Sequence, residues 1–375
     1  MRIGLLGYGV VGKGFFDLVA ERTDIQIPRI LCRRDIAVEG AEVTHDFRDI
    51  LQDDTIDTVV ELIGGLHPAY EYVTAAMEAG KNVVTANKAL LAAYYDELLT
   101  LAEQKGVCLR CTAAVGGGIG WLSELERTRR TQRLSHVSGI MNGTCNYILH
   151  SMTCLGLDYG QALAQAQELG YAEADPTADV EGFDTWNKLL LSANVALGIS
   201  LDKESVPVCG ISAISAQDVE QFKAHNLICK LIATAKAQDG CVHAYVQPTL
   251  CPVGSQQAAV PANYNFITFT GSATGSMSLY GQGAGRYPTA HNVLQDCVDV
   301  MQGRSFYCGC GAPAVADNTE ALRFYVRGAS DAWLEAQREE SWADAIVTKP
   351  VSVRQMHDWR SKHPGVFIAA VPDSQ

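Results

Sequence analysis

Arg2-Ile3-Gly4-Leu5-Leu6-Gly7-Tyr8-Gly9-Val10-Val11-Gly12-Lys13 decides the architecture of the first third of the chain. A short apolar strand runs into glycines spaced G-x-G-x-x-G, and amphipathic helical spacing follows over 13–22. Each glycine has its own work: Gly7 makes the tight turn, Gly9 lets backbone approach a pyrophosphate, and Gly12 lets helix close on strand. A helix N-terminus at this point offers N–H donors and a positive dipole end to phosphates. Residues Gly7, Tyr8, Gly9, Val10, Val11 and Gly12 therefore read as a dinucleotide-binding loop.

Outward from that loop, strand patterns at 25–32, 58–62, 82–85 and 107–113 alternate with helical patterns at 67–79 and 89–105. Strand–helix alternation at this spacing predicts an α/β, doubly wound parallel sheet of Rossmann type. Ligands of such sheets sit beyond the carboxyl ends of the strands. Leu31-Cys32-Arg33-Arg34-Asp35 ends the second strand, and Arg33 and Arg34 predict the 2′-phosphate of NADP, with Asp35 keeping NAD open. Glu61-Leu-Ile-Gly64-Gly65 gives a second close backbone approach, with Gly64 on the nicotinamide side, and Thr85-Ala-Asn-Lys88 places Lys88 at a strand end beside the cofactor.

With 375 residues, 47% hydrophobic and 19% charged, the chain has material for two or more cores. Lys and Arg total 29 against 42 Asp and Glu, a net charge of −13, which argues against nucleic-acid or anionic-membrane binding. The N-terminus lacks a signal-peptide pattern and no apolar run reaches membrane-spanning length, so a cytoplasmic setting is expected. The 12 cysteines are scattered; Cys108-Leu-Arg-Cys111 and Cys308-Gly-Cys310 do not make a paired zinc pattern, so reduced thiols are expected. Between Gly240 and Gly285 there is no charged side chain, and the stretch reads as sheet, one face under helices and the other against a second subunit.

The block 169–188, Leu-Gly-Tyr-Ala-Glu-Ala-Asp-Pro-Thr-Ala-Asp-Val-Glu-Gly-Phe-Asp-Thr-Trp-Asn-Lys, crowds five carboxylates ahead of a lysine. Asp184 and Lys188 are i and i+4 and share a helix face. Such pairs are commonly surface ion pairs. Here Lys188 heads the apolar run Leu189-Leu-Leu-Ser-Ala-Asn-Val-Ala-Leu, where a lysine beside a carboxylate can position a proton.

These segments, with Val115-Gly-Gly-Gly-Ile119, Asn142-Gly-Thr144 and Gly283-Ala-Gly-Arg-Tyr-Pro-Thr-Ala290, resemble in order the motifs of homoserine dehydrogenases, over about residues 1 to 320. The resemblance implies an NAD(P)-dependent homodimeric oxidoreductase that interconverts L-aspartate 4-semialdehyde and L-homoserine. By motif position it implies Lys188 and Lys88 as catalytic lysines and Asp184 as the carboxylate that orients substrate. Asn142, Gly143, Thr144, Tyr171, Glu173 and Asp179 fall at its substrate contacts, and Gly283 and Gly285 where the chain returns to the cofactor. It further implies Na+ or K+ on backbone carbonyls at Val115, Gly117 and Ile119. Thr112 stands where the family usually has Glu, Cys145 where Thr is common, and Trp186 where a small residue is common. Trp186, two residues from Asp184, is expected to point away as packing.

The implied organisation is a dinucleotide domain at 1–130, completed by about 283–320, a substrate and dimerisation α+β domain at 131–282, and a tail at 321–375. Leu322-Arg-Phe-Tyr-Val-Arg327 resembles the first strand of an ACT domain, but 54 residues from Leu322 to the end predict only a truncated version, with about three strands and no threonine site. A sugar dehydrogenase of similar build would carry Glu-Lys-Pro in place of Asn87-Lys88-Ala89. A dinucleotide-sensing regulator would need none of Lys88, Asp184 and Lys188.

Overall fold

A computed structural model describes residues 1–305 and 311–372. Cys308 and Cys310 lie outside the described residues. The chain divides into two compact units: 1–132 with 194–200 and 281–312, and 133–193 with 201–280 and 313–375.

The first unit holds β1 (Arg2–Leu6), β2 (Gln26–Leu31), β3 (Glu42–Thr44), β4 (Thr58–Glu61), β5 (Asn82–Thr85) and β6 (Leu109–Arg110). All pair in parallel, in the order β3-β2-β1-β4-β5-β6. Chain crossing from β1 outward in both directions is the doubly wound arrangement, and it opens a crevice at the carboxyl ends of β1 and β4. Ile3, Leu5, Phe15, Val60 and Val84 fill its core together with Ala290, Val293 and Cys297 of the helix Arg286–Met301. The strand expected over 107–113 is cut short: only Leu109–Arg110 pair, and Thr112–Ala114 turn into a 3₁₀ helix. Thr112 N and Oγ1 both donate to Asp296, which pulls the chain out of the ladder.

The second unit contains β7 (Leu134–Ile140), β9 (Leu227–Gln238), β10 (Cys241–Pro252), β11 (Tyr264–Gly271) and β12 (Gly275–Gln282), while β8 (Ile199–Leu201) and β13 (Ala312–Ala314) form a separate ribbon. The tail adds β14 (Ala321–Arg327), β15 (Arg338–Trp342), β16 (Ala345–Thr348), β17 (Val351–Ser352) and β18 (Phe367–Val371). One ten-stranded sheet results, in the order β12-β11-β7-β9-β10-β18-β14-β16-β15, with β17 against β14. The helix that carries Asp184 and Lys188, Phe183–Ala193, stops before the end of the apolar run and continues as a π turn, Asn194–Gly198.

The tail departs from expectation. Helices Ala332–Gln337 and Val353–Ser361 fall between its strands, so a complete βαββαβ succession fits where a truncated one was expected. Its four long strands pair antiparallel in the order β18-β14-β16-β15. Economy explains the fit: the first helix has six residues and runs directly into β15, and two residues join β15 to β16. Nor does the tail stand apart as a domain, since β18 also pairs with β10 through Thr249 and Ala370.

Candidate active site

The glycine loop of the first unit behaves as its residues require. Gly7 has φ +99°, and a side chain there would meet the Leu62 carbonyl at 2.7 Å. A Cβ on Gly12 would strike the Gly7 carbonyl at 2.2 Å, whereas Gly9 faces open space. Gly9 is also the N-cap of the helix Val10–Ala20 and caps it with no side chain. The first-turn N–H groups of that helix are thus left for an anion. Beside them Arg34 Nη2 donates to Tyr8 O at 2.8 Å, and Arg33 is exposed. His45, just past β3, touches Cys32 O at 2.6 Å and Asp35 Oδ1 at 2.9 Å. These groups fit a nicotinamide dinucleotide: a bare backbone approach, a helix N-terminus, and arginines at the second strand end.

Glu61, expected only as a strand end leading into the Gly64–Gly65 backbone approach, is a buried scaffold. Its Oε1 accepts from Ile63 N (2.8 Å) and Gly64 N (3.0 Å), and its Oε2 from Thr85 Oγ1 (2.6 Å). One carboxylate therefore ties the glycine turn after β4 to the end of β5. Asn87 continues the chain of bonds, donating to Gly65 O at 2.6 Å and accepting from Leu90 N as N-cap of the helix Lys88–Lys105. That cap fixes where Lys88 begins. The only sequence signal for Glu61 was a carboxylate in an otherwise apolar strand. Gly283 and Gly285 return the chain to this unit: a Cβ on Gly117 would meet Gly283 O at 2.6 Å, and Gly285 caps the helix Arg286–Met301. That helix closes on Gly14, and Arg286 pairs with Asp17 at 2.5 Å.

In the second unit Asn142 is the organising residue. Its Oδ1 accepts from Cys145 N at 2.8 Å as N-cap of the helix Gly143–Leu155. Its Nδ2 donates to Asp179 Oδ1 at 2.6 Å and Asp184 Oδ2 at 2.8 Å. Lys188 Nζ meets Asp184 Oδ2 at 2.7 Å and donates to Met141 O at 2.7 Å. Asp184 is 7% exposed and Lys188 8%, so this i,i+4 pair is not the solvated surface pair such spacing commonly gives. Two carboxylates and one ammonium converge at a helix N-terminus, a constellation suited to gripping a zwitterion and moving a proton.

Other expected residues surround it unevenly. Thr144 Oγ1 donates to Tyr171 O at 2.6 Å, and the Tyr171 ring packs edge-on against Tyr147. Gly143 lies against Asn263 O, where a Cβ would come within 2.5 Å. Glu173 is exposed and does not join the Asn142 cluster through any described bond; Gln167 holds its carbonyl at 3.0 Å. Asp175, another of the five carboxylates in 169–188, accepts from Thr177 N and Oγ1, which holds its carboxyl below the ordinary range. Cys145 Sγ donates to Asp179 O at 3.1 Å, and burial pushes its thiol far up, so it serves as packing. Trp186 turns away as expected, its indole donating to Val206 O at 3.0 Å. The ten described cysteines are free, and no group of three or more His, Cys, Asp or Glu among the described residues could hold a metal.

Comparison with known proteins converges on one family. The sequence profile of homoserine dehydrogenase matches residues 121–298, and that of the homoserine dehydrogenase NAD-binding domain matches residues 7–111. The chain is 36% identical to a homoserine dehydrogenase of Bacillus subtilis over 316 residues, covering 80% of this chain and 73% of that one. It is 41% identical to one of Corynebacterium glutamicum over 320 residues, covering 80% and 72%. A crystal structure of a homoserine dehydrogenase from Thiobacillus denitrificans superposes with a TM-score of 0.88 at 31% identity, covering 100% of this chain and 98% of that one. Family profiles over both units, and relatives above one-third identity across four-fifths of the sequence, show that this chain belongs to the homoserine dehydrogenase family.

Proposed function

We propose that the protein reversibly reduces L-aspartate 4-semialdehyde to L-homoserine, with Lys188 as the proton donor. The observation that carries this reading is the single amide of Asn142 holding Asp179 and Asp184 beside the Lys188 ammonium. Nicotinamide, when bound, supplies a hydride to the aldehyde carbon. Negative charge then grows on the aldehyde oxygen, and a fixed ammonium stabilises it where it develops. Two protons of Lys188 are engaged by Asp184 and Met141 O. The third is the one given to the oxygen, which becomes the homoserine hydroxyl; solvent replaces it. Lys88, held by the Asn87 cap, is proposed as the second cation for the same oxygen.

The substrate's α-ammonium suits Asp179, with the exposed Glu173 proposed as a second carboxylate from outside the cluster, while Thr144, Tyr171 and the backbone at Asn142 and Gly143 shape the remainder. Orientation of this kind lowers the entropic part of the barrier. Residues 7–12, Gly64, Gly283 and Gly285 are proposed to hold the dinucleotide. Arg33 and Arg34 favour NADP over NAD through the 2′-phosphate. A cytoplasmic setting accords with the free thiols.

Homoserine-dependent reduction of NADP+, followed at the nicotinamide absorbance, tests the reading directly; no turnover with homoserine under any cofactor would reject it. A homodimer is proposed through the sheet face where His136, Ser138, Thr234, Lys236, Gln247 and Thr249 line a groove of 680 Å³. Sedimentation should give a particle near twice 40.4 kDa, and a stable monomer at micromolar concentration would reject that arrangement.

A further inference from the structure

The loop Val115–Ile119, whose carbonyls the family resemblance offers to a monovalent cation, is held in this chain by a side chain. Gly116 and Gly117 take positive φ, +78° and +49°. Gly118 N donates to Gln282 O at 3.2 Å and Ile119 N to Gly116 O at 2.8 Å. The Gly117 carbonyl accepts a short hydrogen bond from Asn292 Nδ2, and Asn292, on the helix Arg286–Met301, is 4% exposed. The nitrogen of that amide must face the carbonyl, because two acceptor oxygens in contact would repel.

A hard cation needs converging oxygens, and negative charge among them strengthens the site. Here one of the three carbonyls is met by a donor, and an ion between it and Asn292 would force the two apart. Position 112 adds no charge: Thr112 N and Oγ1 donate to Asp296 at 2.7 and 2.6 Å. The Asp296 carboxylate is itself occupied by Arg110 Nε at 3.2 Å, and Arg110 Nη2 reaches Asp299 at 2.7 Å. The nearby carboxylates are thus already engaged inside the cluster, Asp296, Asp299 and Glu126 by the buried Arg110 guanidinium and Asp296 also by Thr112, and none is shown turned to the loop carbonyls. The residues present do not fit a resident Na+ or K+.

We propose that Asn292 is a positioning residue that holds the Val115–Ile119 loop in place of a monovalent cation, so that the enzyme works without Na+ or K+. It acts through Gly117, whose backbone abuts Gly283 at the return of the chain to the cofactor side.

The test measures homoserine oxidation at constant ionic strength in chloride salts of sodium, potassium and tetramethylammonium, after exchange into the last. The wild-type enzyme should give the same kcat and the same KM for NADP+ in all three. Asn292→Ala removes the donor, and its KM for NADP+ should rise about tenfold in tetramethylammonium, the scale on which supporting residues act. Sodium or potassium should then restore it. Asn292→Asp sets a carboxylate against Gly117 O, so both its activity and its melting temperature should rise with sodium or potassium and not with tetramethylammonium. This second variant decides the matter if the first fails to fold. Loss of wild-type activity in tetramethylammonium would overturn the proposal. So would variants whose defect small cations leave unchanged, since Asn292 would then be packing alone.

Discussion

Lys188 is buried on a helix whose first turn carries Asp184, and its ammonium meets Asp184 and donates to Met141 O; its role as proton donor is the part of the proposal that a single substitution tests. Lys188→Ala should lower kcat by about 10²-fold, the usual range for a proton-transfer group, with cofactor affinity unchanged by fluorescence titration. Near-normal turnover would remove Lys188 from the mechanism. Arg33→Ala with Arg34→Ala should weaken NADP+ far more than NAD+, because only the 2′-phosphate needs a guanidinium. Equal losses in kcat/KM for both cofactors would show that the pair reads something else. The Asp184–Lys188 pair was legible because helical periodicity alone puts both on one face. Asn142 was legible only through the family motif: its partners lie 37 and 42 residues away, and no local pattern announces that a helix cap also gathers two carboxylates. Glu61 was named only as part of the Gly64–Gly65 approach, its tie to Thr85 lying 24 residues away, and Asn292 was not read at all, since the Gly117 backbone it holds is 175 residues distant in sequence.

Strand β9 was missed in sequence because its apolar pattern is interrupted by Lys230, Lys236 and small residues, although it lies between β7 and β10 at the centre of the sheet. Lys230 is 1% exposed and donates to Asn146 Oδ1 at 2.8 Å and Val260 O at 2.7 Å, all neutral partners. Burial pushes its ammonium down from 10.5 to about 8. A value below that of the unfolded chain means this stability is present in full above pH 10.5 and lost as pH falls through about 8. Denaturant titrations should therefore show Lys230→Met lacking a gain of roughly 3 kcal/mol between pH 8 and 10.5 that the wild type has. Parallel curves for the two proteins would show that the cation is tolerated without cost. By contrast, β4 and β5 were read to within a residue, because fully buried parallel strands bounded by turns leave a short uninterrupted apolar signal.

At the scale of the whole molecule, the α/β class and the doubly wound sheet followed from the glycine loop and the strand–helix alternation. The completeness of the tail did not, because a six-residue helix and a two-residue turn fall below the length at which periodicity speaks. Phe324, Val326, Ile346, Met356, Trp359 and Ile368 pack one face of the tail sheet under its own helices. On the other face Phe222 meets Tyr325 at 5.0 Å, and His225 stacks on Trp342 at 3.7 Å. With both faces filled, millimolar threonine is expected to leave the rate unchanged, and strong inhibition would contradict this. Truncation before Leu322 should yield insoluble or non-cooperatively melting protein; a soluble truncated enzyme with a sharp melt would show that the tail is dispensable to the fold. The place of β18 has a further consequence for how the molecule is born. Phe367–Val371 is encoded after every other strand of the sheet yet is wedged between β10 and β14. The interior gap can close only once this later strand has been made, so the growing chain waits with two unzipped strand edges, and chaperone dependence during synthesis should centre on this unit.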